Sequence, residues 1–168
     1  MVKIDTILVQ IVTHDIDWAG TDGHVYLGIG GREFYIDSKS EVLTDFDDFE
    51  RKSDRHYLLG SYPNYDPTPD LHKVLYKEHN NPQKPFYLDT DTLDSFPVYI
   101  RFEPAGNHPD WALKSVKVRV NPTSDSNEYK QYRAPQTEDE YIWLGQYVGK
   151  VVYLLPYIGV DRPGSGVK

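Results

Sequence analysis

Asp15, Asp17 and Asp22 lie close together in the chain, with Gly20 and Thr21 between them. Three carboxylates, a hydroxyl and a backbone carbonyl on one bent segment offer several oxygen donors. A hard cation such as Ca²⁺ takes six to eight oxygens and is suited to such a loop. The same residue types also make a polar turn with side-chain-to-backbone hydrogen bonds and no ion, and both readings stand at this level. Gly20 can take the positive φ of a sharp bend without a Cβ clash. Trp18 sits at the tip of the same stretch. An amphipathic indole at a loop tip suits a membrane interface; the alternative is that it folds back as a lid over the loop.

Two alternating runs must hold this loop. Ile7, Val9 and Ile11 share one face of an incoming strand over residues 4–14, and Leu8 and Val12 take the other, so a central strand is expected. Val25, Leu27 and Ile29 leave the loop and meet Gly30-Gly31, a two-residue hairpin signal. That turn sets Leu27 opposite Phe34, Val25 opposite Ile36 and Tyr26 opposite Tyr35. Acids crowd residues 41–54, and residues 54–59 have the pattern of a short strand. Residues 60–91 carry five prolines at 63, 67, 69, 82 and 85 and form an excursion from the sheet. Within it a short helix is predicted around residues 68–80. Thr68 would be its N-cap and Pro69 its first position, with Leu71, Val74 and Leu75 on one face. Phe96, Val98, Ile100 and Phe102 alternate as a half-buried strand, with Pro97 marking an edge or a strand start. The apolar phase shifts between Leu113 and Val116, which predicts a bulge or bend. Residues 121–139 read as a long loop and residues 141–157 as a last apolar-aromatic run.

The bulk properties narrow the classes. A chain of 168 residues is expected to form one domain. A net charge of −8 and a pI near 5.1 argue against nucleic acid as a partner. Cysteine is absent, so there is no disulfide framework. No charged-then-apolar leader opens the sequence and no apolar run reaches membrane-spanning length, so a soluble protein is expected, cytoplasmic or secreted by another route. Fourteen Tyr, 3 Trp, 12 Gly and 12 Pro suit an all-β fold with many turns. No G-x-S-x-G elbow, P-loop or H-E-x-x-H motif occurs. His72 and His79 would lie two helical turns apart, about 10 Å, too far for one metal. Carboxylate pairs alone do not exclude a two-carboxylate glycosidase, but their placement on turns favours cation binding, and no enzyme is expected. The oligomeric state is not legible.

Thr13-His14-Asp15, then Ala19-Gly20-Thr21-Asp22 before Val25-Tyr26-Leu27, resembles the opening of a PLAT (LH2) domain. Asp48-Phe49-Glu50-Arg51 with Asp54 and Tyr57 resembles its middle acidic segment. Asn107 to Val118, containing Pro109-Asp110-Trp111, resembles its Trp-containing strand. The loop is most similar to that of the membrane-binding domain of clostridial phospholipase C toxins. The match covers residues 4–59 and 92–120. His14 stands where the family has Gly, residues 60–91 are longer than the family's connection, and residues 121–168 diverge. The resemblance implies an antiparallel β-sandwich of about eight strands that binds lipid surfaces or protein partners, often with Ca²⁺ in loops at one end. Carried over, the metal candidates are Asp17, Gly20 through its carbonyl, Thr21, Asp45, Asp47, Asp48, Glu103 and Asn107; the membrane contact, Trp18, is expected separately, from its place at the loop tip. Converging carboxylates would repel one another, and a cation would relieve that. The expected function is a non-enzymatic, Ca²⁺-assisted module docking on lipid or on a protein. The alternatives are a carbohydrate-binding sandwich with a structural Ca²⁺ and an ion-free protein-interaction domain.

Overall fold

The computed structural model describes residues 2–37, 48–61, 71–74, 76, 78–122, 129–135 and 140–157. Two sheets enclose a hydrophobic core. The strands are β1 (Thr6–Thr13), β2 (His24–Ile29), β3 (Arg32–Ile36), β4 (Asp54–Gly60), β5 (Leu71–Lys73), β6 (Tyr99–Glu103), β7 (Trp111–Val120), β8 (Lys130–Ala134), β9 (Ile142–Leu144), β10 (Val151–Tyr153) and β11 (Leu155–Pro156). The larger sheet runs β11-β8-β7-β1-β4-β5, with β9 also on β7; the smaller runs β10-β6-β2-β3. Among the described residues, every strand pairing is antiparallel except β4–β5.

The period-2 pattern explains the layers. Ile7, Val9 and Ile11 of β1 meet Val25, Leu27, Phe34, Ile100, Trp111 and Val118 in the buried core, whereas Leu8, Gln10 and Val12 are half-buried on the outer face. β1 is central, flanked by β4 and β7. Gly30 and Gly31 have φ of 61° and 77°, the positive pair that a tight two-residue hairpin demands. The register is the expected one: Leu27 faces Phe34, Val25 faces Ile36 and Tyr26 faces Tyr35. The phase shift in β7 is a bulge: Val12 pairs with Ser115 and Thr13 with Leu113, leaving Lys114 as the extra, exposed residue.

Four expectations need correction. The helix predicted around residues 68–80 is not formed in its described part. Leu71–Lys73 is β5, parallel to β4, with His56 opposite Leu71, while Thr68, Pro69, Asp70 and Leu75 lie outside the described residues. A helix that short has little stability of its own, and the open edge of β4 offers backbone partners that a strand satisfies. Among the described residues, the helical turn is a 3₁₀ turn at Leu93–Ser95. The expected loop over residues 121–139 contains β8, which pairs with β7; its sequence Lys-Gln-Tyr-Arg-Ala lacks alternation, so the pairing decides it. Phe96 is exposed, because β6 starts only at Tyr99. The strands are also shorter and more numerous than the expected eight. The described part of the excursion over residues 60–91 meets the N-terminal end of β1: the Ile4 N–H donates to the Leu88 carbonyl at 2.8 Å, and Val74 and Leu88 are buried. Among the described residues no helix is long and apolar enough to cross a membrane.

Candidate lipid-docking loop

The loop over residues 14–23 joins β1 to β2 at the C-terminal end of β1. Its backbone is pinned on two sides. The His14 N–H donates to the Ala112 carbonyl at 2.9 Å, and the Ala112 N–H donates to the Ala19 carbonyl at 3.0 Å. The Thr21 N–H donates to the Phe49 carbonyl at 3.2 Å. Gly20 does not take the expected positive φ, which falls on Trp18 instead; glycine is required because a Cβ there would lie 2.9 Å from the Arg51 backbone nitrogen, a close backbone approach.

Thr21 and Asp22 tie this loop to the β6–β7 connection. The Thr21 hydroxyl donates to the His108 carbonyl at 2.7 Å and accepts from the Gly23 N–H at 3.0 Å. Asp22 Oδ2 accepts from the backbone N–H groups of Asn107 and His108 at 3.1 and 3.2 Å. Asn107 thus joins the site through its backbone. On this brace stands Trp18, 77% exposed, at φ 65°, its ring stacked on His108 with centroids 5.9 Å apart. A shallow cleft beside it is lined by Trp18, Gly20, Asp22, Glu50, Arg51 and His108. Trp18 is therefore neither a lid over the carboxylates nor a core residue.

Arg51 organises the acids. Its Nε is 2.8 Å from Asp15 Oδ1 and its Nη1 is 2.6 Å from Asp17 Oδ1, with Lys52 Nζ 3.6 Å from Asp15 Oδ2. The hydrogen bond from Arg51 holds the Asp15 carboxyl below its ordinary value, against the opposing effect of desolvation. Asp48 points inward instead: it is buried, and Oδ1 accepts from the Tyr57 hydroxyl at 2.9 Å. Burial, with that carboxylate beside it, pushes the Tyr57 phenol far up. Glu103 lies on the outer face of the smaller sheet, 2.7 Å from Arg101 Nη1. The hydrogen bond from Arg101 holds its carboxyl below the ordinary range.

The structure therefore gathers Asp17, Gly20, Thr21 and the Asn107 backbone at one end, while the Asp48 side chain is engaged by Tyr57 and the Glu103 side chain by Arg101. Asp45 and Asp47 lie outside the described residues. Among the described residues no group of three or more acids and histidines is arranged to hold a metal ion. Among the described residues a guanidinium lies against the oxygens of Asp15 and Asp17, and Asp22 is engaged with backbone N–H groups, so these carboxylates already have partners. The sequence signal for this was Arg51 itself, a cation inside the acidic segment. His108 carried no signal, because its role comes from stacking across two loops.

A second surface feature is the outer face of the smaller sheet. Tyr153 sits beside Tyr99, with ring centroids 6.4 Å apart, and Tyr26 beside Tyr35 at 5.2 Å. Arg101 lies over the Tyr26 ring at 4.1 Å and is held by Glu33 at 2.7 Å.

No protein-family model matches the sequence, and no curated protein matches it. Solved structures do. Alpha toxin from Clostridium absonum superposes with a TM-score of 0.53 at 20% identity, over 92% of this chain and 32% of the toxin. A loop-deletion lipoxygenase in complex with arachidonate gives 0.48 at 17% identity, over 90% of this chain and 16% of that one. Coral 8R-lipoxygenase, described as calcium-activated via a C2-like domain, gives 0.45 at 18% identity, over 90% and 17%. The chain thus spans about a third of the toxin's length and about a sixth of the lipoxygenases'. Its two sheets and its likeness to the toxin give the chain a PLAT/LH2-like β-sandwich fold.

Proposed function

We propose that this chain is a non-enzymatic module that docks reversibly on lipid membrane surfaces through the Trp18 loop. The observation that carries the reading is an indole left 77% exposed on a backbone at φ 65°. A non-glycine residue in that region costs on the order of 1–3 kcal/mol and persists only where its surroundings fix it. Here the Ala19, Thr21 and Asp22 hydrogen bonds do so. The side chain gains no core packing in return, so its use is sought outside the molecule. Transfer of its apolar area into the headgroup region would contribute about 1–3 kcal/mol, which supports reversible attachment and not anchoring. The fold likeness to a clostridial alpha toxin is in keeping with this reading.

Calcium is the finer part of the reading. An ion at Asp15 and Asp17 must displace Arg51, so any assistance competes with that ion pair. The test is co-flotation with liposomes, with and without millimolar Ca²⁺, for wild type and Trp18→Ala. Wild type should float and Trp18→Ala should float less. Wild-type protein that stays in solution under both conditions would end the membrane reading and leave a protein partner as the better account.

The tyrosine row on the smaller sheet favours a second reading, a sugar-binding face. Retardation of the protein in polysaccharide-containing gels, lost in Tyr153→Ala and kept in Trp18→Ala, would support it over the first.

A further inference from the structure

Outside the Trp18 loop, the most exposed apolar group among the described residues is Tyr147, 89% exposed, followed in the chain by Val148 at 50%. They form the tip of the loop over residues 145–149, between β9 and β10. This loop has a fixed base. The Gly145 N–H donates to the Gly149 carbonyl at 3.1 Å, closing the tip into a tight turn. The Gln146 N–H donates to Asp110 Oδ1 at 3.1 Å. Gly145 lies so near the Asp110 carboxylate that no Cβ would fit there. The Phe102 N–H donates to the Lys150 carbonyl at 2.8 Å, tying the exit of the loop to β6.

Asp110 belongs to the same β6–β7 connection as His108, on which Trp18 stacks. One short segment therefore carries both tips, and both project from the same end of the sandwich. Near the same end, Tyr141 stacks on His14 at 4.4 Å, and Trp143 pairs opposite Ala112; both aromatic residues are partly exposed. We infer that Tyr147 and Val148 form a second membrane-contact tip, so that this end meets a zwitterionic lipid surface at two points. The inference rests on the docking reading above.

The choice of occupant follows from shape and charge. Asp15, Asp17, Asp22, Glu50, Asp110 and Glu140 outnumber Arg51, Lys52 and Lys150 at this end, and the chain carries −8 overall. Anionic lipid would be repelled, whereas a zwitterionic surface presents its outer cationic groups to these acids. Tyrosine and tryptophan both place a ring at the acyl boundary and a polar atom among headgroups. Two weak apolar contacts acting together give useful attachment where one does not.

The experiment is partitioning onto phosphatidylcholine vesicles, measured for wild type, Trp18→Ala and the double variant Tyr147→Ser with Val148→Ser. Each variant should lose about tenfold in partition coefficient relative to wild type, with an unchanged melting curve, and replacing part of the lipid with phosphatidylserine should weaken wild-type binding. A double variant that binds like wild type while Trp18→Ala loses binding overturns the second tip and leaves the docking reading intact. Wild type that does not bind any vesicle overturns both. A direct measurement guards against a misfolded variant. Tyr147→Trp in a Trp18→Phe background should show fluorescence quenching by brominated lipid above that of Trp18→Phe alone; quenching no greater than that control overturns the inference.

Discussion

At the N-terminal end of β1, Asn121 is buried at φ 47° and its side chain closes the fold. Its Oδ1 accepts from the Asp5 N–H at 2.9 Å and the Thr6 N–H at 3.3 Å, while Nδ2 donates to the Lys3 carbonyl at 3.0 Å. Ile4, Leu88 and Val74 are buried in the core. At the C-terminal end of the same strand, Trp18 also has a positive φ, yet its ring faces water, and the polar contacts there join exposed groups such as Arg51, Asp15 and Asp17. Both ends hold a non-glycine residue in a costly backbone conformation. At one end the residue's own side chain makes the compensating hydrogen bonds; at the other the neighbouring backbone holds the conformation and the side chain stays exposed. The contrast teaches where stability and function separate in this molecule.

The largest effect should come from the buried end. Asn121→Ala removes three side-chain hydrogen bonds and leaves the Lys3, Asp5 and buried Thr6 backbone groups short of partners, which should cost about 2–4 kcal/mol. Chemical denaturation measures it, and a loss below about 1 kcal/mol would erase the contrast. Next, Trp18→Gly should leave stability unchanged or raise it by about 1 kcal/mol, because glycine accepts positive φ freely. Vesicle partitioning should still fall about tenfold. A clear loss of stability would make Trp18 a structural residue and move the two ends closer in kind.

Arg51→Gln should lower the melting temperature slightly, as expected for exposed ion pairs. The sign of its pH dependence follows from Asp15, whose carboxyl is held below its ordinary value of 3.8 by Arg51. Such a group contributes stability above its unfolded pKa and loses it as pH falls through the lower folded value. The difference between wild type and Arg51→Gln should therefore be present at neutral pH and shrink as acid takes the solution below about pH 4. A difference that grows in acid would contradict the assigned pairing. The smallest effect should be that of calcium. Millimolar Ca²⁺ should move the melting curve of wild type little and that of Arg51→Gln more, because the substitution frees Asp15 and Asp17. A large wild-type shift, absent with magnesium, would mean that oxygens gather in solution beyond those that Arg51 engages.

Much of the sandwich was legible because alternation is a local property. The β2–β3 hairpin register followed from Gly30-Gly31 and the flanking apolar residues, and the β7 bulge from a phase shift between Leu113 and Val116. Elements without a local pattern were not legible. β8 is a strand because β7 has an open edge to pair with, and β5 replaces a predicted helix for the same reason at β4. Such pairings depend on which strand lies alongside, and no neighbouring residue in the sequence encodes that.

The candidate site divides along the same line. The sequence by itself determined that an acidic loop with an indole at its tip joins two core strands, because loop composition and apolar period are written in consecutive residues. Only the tertiary structure decided what those acids do. It set Arg51 between Asp15 and Asp17, turned Asp48 inward to Tyr57, and used Asp22 to brace the segment under Trp18. A carboxylate can serve an ion, an arginine or a backbone amide, and which partner it meets depends on distances across the fold that side-chain types alone do not fix.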